Sequence, residues 1–255
     1  MIKIFIILII IGFIWTVCVE PYVLSYTKFS LKTDNIKGLK IVFISDLHIK
    51  PFERFRLKRI VKAVNDQNPD IVLMGGDYVN SHKKNLTLPV EDIASSLGKI
   101  KSKYGIYAVL GNHDGWQGKY YVIKALESNG IKVLENTNIS PVEGLTIAGV
   151  EDLQTGEPDI NKAINNTTSS TILLTHSPDI FPDVPKNVTL TLAGHTHGGQ
   201  VVIGGAILVP SKFGKKYAYG LINENGKSMF VTRGLGSSIL PVRFCCRPEI
   251  VIISL

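Results

Sequence analysis

The sequence predicts an α/β domain whose strands deliver polar groups to one edge. Three observations support this: apolar runs rich in β-branched residues, Gly-marked polar clusters at the ends of those runs, and apolar residues at helical spacing between them. Ile41-Val42-Phe43-Ile44 runs into Asp46-Leu47-His48, Ile71-Val72-Leu73-Met74 into Gly76-Asp77, and Ile106-Tyr107-Ala108-Val109-Leu110 into Gly111-Asn112-His113-Asp114. Thr171-Ile172-Leu173-Leu174 runs into His176, and Thr189-Leu190-Thr191-Leu192 into Gly194-His195-Thr196-His197. Continuous apolar runs of this kind read as strands buried on both faces. The polar clusters then lie on loops just past the strand ends, where a rigid sheet can aim several side chains at one point.

At the N-terminus, Ile4 to Val19 carry no charge, with Lys3 before them and Glu20-Pro21 after. The stretch is longer than the core of a signal peptide, about 7 to 15 residues, and slightly shorter than the roughly 20 of a full membrane span. No small-x-small cleavage site is evident, and Val17 before Cys18 makes a poor lipoprotein box. An uncleaved membrane anchor over residues 1–24 is expected, followed by one domain over residues 33–255. The lysines on the two sides of the anchor pull its orientation in opposite directions.

Helices are expected over Arg54 to Asp66, Glu91 to Ser102 and Tyr120 to Ser128. The first pairs an apolar face (Phe55, Leu57, Ile60, Val61, Val64) with a basic one (Arg54, Arg56, Lys58, Arg59, Lys62), read as an ordinary solvated face. The net charge of +7 suits nucleic acid and equally a domain lying on anionic lipid. No aromatic interleaving, zinc finger or helix-turn-helix pattern points to specific nucleic-acid reading. Three cysteines, with Cys245 and Cys246 adjacent, make no disulfide framework and read as small apolar residues near a C-terminal strand.

The clusters hold five of the six histidines. The remaining one, His82 in Asn80-Ser81-His82-Lys83-Lys84, reads as an exposed loop residue. Two divalent cations about 3.5 to 4 Å apart can clamp the attacking and departing oxygens of a phosphate. Such a pair needs a bridging carboxylate with oxygen and nitrogen donors on both sides, and Asp77 is the natural bridge. The pairs Asp46/His48 and His195/His197 are spaced i and i+2, which in an extended chain points both side chains the same way. A donor set of His, Asp and Asn without Cys suits Mn, Fe or Zn rather than a thiolate zinc.

These blocks, in this order across Asp46 to His197, resemble the calcineurin-like metallophosphoesterases. The resemblance implies a four-layer α-β-β-α sandwich of two mixed sheets, with a dinuclear metal site at the loop edge. It implies that Asp46, His48 and His197 hold one ion with bridging Asp77, while Asn112, His176 and His195 hold the other, Mn first among the candidates. It gives His113 the phosphoryl group and the leaving oxygen, with Asp114 orienting its imidazole. Gly198-Gly199-Gln200, Arg233-Gly234-Leu235-Gly236 and Pro241-Val242-Arg243-Phe244 are similar to the bacterial membrane-associated branch, some members of which hydrolyse UDP-2,3-diacylglucosamine. Arg233 and Arg243 are then candidates for gripping a substrate phosphate, since guanidinium forks bind phosphate oxygens bidentately.

The leading expectation is a membrane-anchored phosphohydrolase acting on a lipid-linked or nucleotide-linked phosphodiester or pyrophosphate, with a lipid surface as partner. A nuclease or cyclic-nucleotide phosphodiesterase is one alternative. A non-catalytic membrane binding protein on the same scaffold is another.

Overall fold

In the computed structural model, which describes residues 2–33, 36–167 and 170–255, the chain builds two six-stranded sheets. Its first half runs through helix α1 (Ile2–Ile14), strands β1 (Ser25–Ser30) and β2 (Lys40–Ile44), α2 (Arg54–Asn65), β3 (Ile71–Met74), α3 (Val90–Leu97), β4 (Ile106–Ala108), α4 (Asn112–Glu127) and β5 (Ile131–Val133). The second half adds β6 (Thr137–Val142), β7 (Leu145–Gly149), α5 (Ile160–Ala163), β8 (Ser170–Leu174), β9 (Leu190–Ala193), β10 (Gly220–Glu224), β11 (Lys227–Val231) and β12 (Glu249–Ser254).

One sheet has the order β1-β12-β2-β3-β4-β5 and the other β10-β11-β9-β8-β7-β6. Both are mixed. β2 to β5 run parallel while β12 joins β2 antiparallel; β7, β8, β9 and β11 run parallel, with antiparallel β6 and β10 at the edges. β1 joins its sheet ahead of the boundary at residue 33 that the sequence suggested, because its pairing partner is the C-terminal strand, which local pattern does not reveal.

Alternation along the strands makes the layers. Ile41, Phe43, Ile71 and Leu73 face the other sheet and meet a core that includes Ile147, Ile172, Leu174 and Leu192. Val42, Ile44, Val72 and Met74 point outward onto Leu57, Ile60, Val64, Ile93 and Leu126 of the helices. The outer face of the second sheet (Ala148, Leu173, Ala193, Met229) is covered by short turns carrying Ile180, Phe181 and Tyr217. The fourth layer is thus built of 3-10 turns and the four-residue α5 instead of long helices.

Helix α3 ends at Leu97 rather than Ser102, since Gly98 packs against Asn129, whose carbonyl oxygen would lie 2.6 Å from a Cβ there. Helix α4 begins at Asn112, well before Tyr120. The Asp114 carboxylate accepts from Gly111 N–H at 3.0 Å and opens the helix directly behind β4, and the chain kinks at Gly118 (φ 127°) before continuing. Phe55 lies outside the buried face of α2 and is exposed.

Ahead of the sheets, Ile2–Tyr22 forms one apolar helical stretch of 21 residues, no residue of α1 being buried. Its last turn is tied to the domain: Cys246 N–H donates to Glu20 Oε1 at 2.7 Å and Trp15 Nε1 to Glu20 Oε2 at 2.8 Å.

Candidate metal centre

Five of the seven candidate ligands leave their strands on turns that the sequence pattern does not announce. Asp46, His48, Asp77, His195 and His197 all take positive φ, between 42° and 72°. Extended alternation therefore does not aim the i, i+2 pairs; left-handed turns do. Non-glycine residues adopt this region at a cost, and such strain collects at functional sites. Two glycines make room for these turns. Gly76 (φ 91°) lies against Gly111, where a Cβ would strike the backbone nitrogen, and Gly234 (φ 66°) lies 2.6 Å by its would-be Cβ from Asp46 Cβ.

The turns are bonded to one another across the sheets. Asp46 N–H donates to Gly76 O at 2.9 Å and His48 N–H to Asp77 O at 3.0 Å. His195 N–H donates to Asp46 Oδ1 at 2.9 Å, joining the second sheet to the first. His113 N–H donates to Asp77 Oδ1 at 2.9 Å. That leaves Asp77 Oδ2 facing the Nε2 atoms of both His48 and His176, 3.3 Å from each.

Three sets of side chains converge: Asp46, His48 and His197; His48, Asp77 and His113; and Asp77, His176 and His195. His48 Nε2 and His197 Nε2 are 3.0 Å apart, and His195 Nδ1 is 3.2 Å from His176 Nε2. The carbonyl of Gly75 lies 2.7 Å from His176 Nδ1 and that of Gly236 3.3 Å from His197 Nδ1. A carbonyl can only accept, so both Nδ1 atoms carry the proton and both Nε2 atoms present lone pairs inward in the neutral rings. Asp46 Oδ2, Asn112 Oδ1 and His48 Nδ1 are buried without a partner among the described residues. Imidazole nitrogens brought within about 3 Å of one another, with orphaned carboxylate and amide oxygens buried beside them, make a convergent set of nitrogen and oxygen donors, so the donor set fits divalent metal.

The electrostatics agree. Burial opposes charge on both Asp77 and His176, yet their mutual attraction holds Asp77 well below the usual carboxylate range and His176 well above the ordinary histidine value. Burial lowers His197 strongly, with His48 adding to it, and lowers His195, assisted by the charge on His176. Burial also raises Asp46, against the pull of His176.

His113 is oriented by Nδ1 donating to Asn80 O at 2.8 Å, with His48 packed edge-on at 4.5 Å. Asp114 does not touch the His113 ring, contrary to expectation. Its carboxylate accepts from the N–H groups of Asp77 (2.7 Å), Tyr78 (3.0 Å), Val79 (3.2 Å) and Gly111 (3.0 Å), so it fixes the loop that carries Asp77. Burial, with Asp77 alongside, pushes this carboxyl up to about 7 while the backbone donors pull it down.

Arg243 is also corrected. It is fully buried, and its guanidinium donates to the carbonyls of Cys246, Arg233, Gly234 and Gly236, so no fork remains for a substrate phosphate. Arg233 is partly exposed, stacked 4.7 Å over the Tyr219 ring, with its stem against Gly198. His82 is exposed, as expected. Cys246 is buried near His197 O, whereas Cys245 is exposed.

Sequence reasoning missed two residues. Arg56, expected on the solvated face, instead donates to Leu47 O at 2.6 Å and His48 O at 3.2 Å and pins the His48 loop. Buried Asp152 organises the loop after β7 by accepting from Gln154 N–H and from Thr155, and the Gln154 amide comes 3.3 Å from His195 Nε2. The signal for Asp152 was present: Leu145 to Val150 is a sixth apolar run ending in acid.

The calcineurin-like phosphoesterase family matches residues 39–199, the segment that contains every candidate ligand. The chain belongs to that family. It is 30% identical over 253 residues to the uncharacterized metallophosphoesterase YkuE of Bacillus subtilis, covering 92% of this chain and 87% of that protein. It is 32% identical to phosphodiesterase YaeI of Escherichia coli, covering 87% and 84%. It is also 30% identical to a transmembrane protein with metallophosphoesterase domain from Danio rerio, covering 85% of this chain and 53% of that one. With this family and this Asp/His cluster, the chain is a metal-dependent phosphoesterase.

Proposed function

We propose that this phosphoesterase is held in the membrane by its N-terminal helix and cleaves a phosphodiester or pyrophosphate in a lipid-linked or nucleotide-linked substrate, a class that includes UDP-2,3-diacylglucosamine. The observation that carries the reading is Asp77 Oδ2, which sits 3.3 Å from two imidazoles belonging to different ligand sets. In this reading Asp46, His48 and His197 would hold one divalent ion and Asn112, His176 and His195 the other, with Asp77 available to both. Manganese is the preferred pair, with iron or zinc compatible with the same donors. Bound ions of this kind supply a nucleophile at neutral pH and neutralise charge on the phosphoryl oxygens.

The protein's own groups do the rest. His113, held through Nδ1 by Asn80, presents its other nitrogen to the leaving oxygen. Burial lowers its pKa, so its protonated form passes on a proton readily. Arg233 is the tail arginine that is partly exposed, its guanidinium stacked on Tyr219 with its edge able to meet a second phosphate. The exposed apolar helix Ile2–Tyr22 favours a substrate drawn from or near the bilayer.

Full-length protein loaded with manganese is expected to hydrolyse bis-p-nitrophenyl phosphate, to lose turnover on chelation, and to lose it roughly a thousandfold in Asp77→Ala, the scale of several kcal/mol that a metal pair supplies. Turnover independent of metal, or undiminished in Asp77→Ala, would overturn the reading.

A further inference from the structure

Two apolar loops adjoin the metal cluster, and both are exposed. Residues 201–210, beginning four positions after His197, read VVIGGAILVP without one charged or hydrogen-bonding side chain. They form a hairpin closed between Ile203 and Ala206, with Ile203 63% and Leu208 90% exposed. The second loop, residues 239–242, reads ILPV. Ile239 is 97% exposed and holds φ at 60°, a conformation that a β-branched residue takes only under constraint. Exposed apolar segments of this kind are aggregation hazards in water and mark a surface built to be covered.

Hydrogen bonds join the two loops to each other, and a further one attaches the second to the N-terminal helix. Val202 N–H donates to Phe244 O at 2.9 Å, and Ser238 N–H to Gln200 Oε1 at 2.7 Å. Arg243 N–H then donates to Thr16 O at 3.0 Å. Thr16 lies six residues inside the helical stretch that ends at Tyr22, across a π turn and a 3-10 turn whose combined rise is on the order of 9 Å. A chain segment bonded at that depth beside a membrane helix cannot remain in bulk water. The depth matches the roughly 5 to 10 Å to which interfacial elements bury their apolar side. Exposed Lys212 and Lys215 follow the hairpin and provide a basic rim suited to anionic headgroups.

We propose that the hairpin 201–210 and the loop 239–242 dip into the leaflet that receives the N-terminal helix, so that the domain rests on the bilayer with its metal cluster against the headgroups and takes phosphorylated lipids of that leaflet. The proposal rests on the anchor reading given above. The bilayer is the occupant because both loops are continuous with the apolar helix and carry no group that would specify a protein.

The test places an environment-sensitive fluorophore at Ile203→Cys or Ile239→Cys in full-length protein. The exposed thiols are removed by Cys18→Ser and Cys245→Ser, and the protein is reconstituted in vesicles of phosphatidylcholine and phosphatidylglycerol. The same label at Lys132→Cys, on β5 at the far end of the sheet from β1, serves as reference. Expected are blue-shifted emission, quenching by acyl-chain nitroxide lipids, and an iodide quenching constant at least about fivefold below the reference, as for a segment buried in the interface. Iodide access equal to the reference, without nitroxide quenching, overturns the proposal. Protection from iodide with label-to-label energy transfer but no nitroxide quenching also overturns it and identifies a second copy as the occupant. Turnover of bis-p-nitrophenyl phosphate in the same vesicles separates the two readings: accessible labels with turnover retained refute the docking alone, while buried labels without turnover refute the catalytic reading alone.

Discussion

The two central carboxylates divide their oxygens differently: Asp77 gives one to the fold and one to the cluster, whereas Oδ1 of Asp46 serves both, lying 3.6 Å from His197 Nε2. Oδ1 of Asp46 accepts from His195 N–H and Oδ1 of Asp77 from His113 N–H. The remaining oxygen of Asp77 faces His48 and His176, and that of Asp46 is unpartnered among the described residues. A proton balance follows. In the metal-free protein the His176 pKa lies well above 6.5, so at neutral pH the ring is charged and faces Asp77. This contribution to stability is fully present below about pH 6.5 and is lost as pH rises through the raised value. A cation on Asp77 must displace the proton, so metal affinity should rise with pH up to that value and fall as the solution is acidified. Isothermal titration at pH 7 in buffers of different protonation enthalpy should report proton release on binding; heats independent of buffer would contradict this.

Asp114 supplies a second residue-level prediction. Asp114→Asn offers one acceptor oxygen where the carboxyl offers two, so it leaves some of the four buried N–H groups unsatisfied, at roughly 1 to 3 kcal/mol each. A loss of stability of a few kcal/mol by denaturant titration, together with an unaltered His113 limb in the pH–rate profile, is expected. A shifted limb with stability intact would return Asp114 to the imidazole.

Among the elements, the five strand ends were legible because buried strands write themselves as unbroken apolar runs, and β2, β3 and β8 fall within a residue of those runs. The turns beyond them were not. A positive φ at Asp46 or His195 leaves no compositional mark when the residue is not glycine, and the contacts that enforce it come from distant segments such as Gly234 and Gly236. Arg56 and Arg243 were misread for the same reason: sequence shows a charge but not the carbonyls that surround it. Arg243→Met keeps the bulk and removes the donors to Arg233, Gly234, Gly236 and Cys246. It should cost roughly 3 kcal/mol of stability, several lost hydrogen bonds to a charged group, and leave KM for bis-p-nitrophenyl phosphate within about twofold. A tenfold rise in KM without destabilisation would restore it as a substrate ligand.

For the whole molecule, the sandwich follows from a period of two along strands such as β2 and β3, which carry one core on each face. The joining of both chain ends into that sandwich could not be read locally. β1 pairs with β12, and Glu20 at the foot of the apolar helix accepts from Cys246 N–H, more than two hundred residues away in sequence. Glu20→Ala should therefore lower domain stability by roughly 1.5 to 3 kcal/mol, the worth of a hydrogen bond to a charged group. Thermal unfolding in detergent checks this, and an unchanged midpoint would show that the helix hangs free of the domain.

Metal stoichiometry reaches the centre of the account most directly. Full-length protein dialysed against manganese and measured by plasma mass spectrometry should hold two ions per chain, and Asp77→Ala, equally folded by circular dichroism, no more than one. A single ion in the unaltered protein, or two retained in Asp77→Ala, would contradict a pair of ions joined through Asp77.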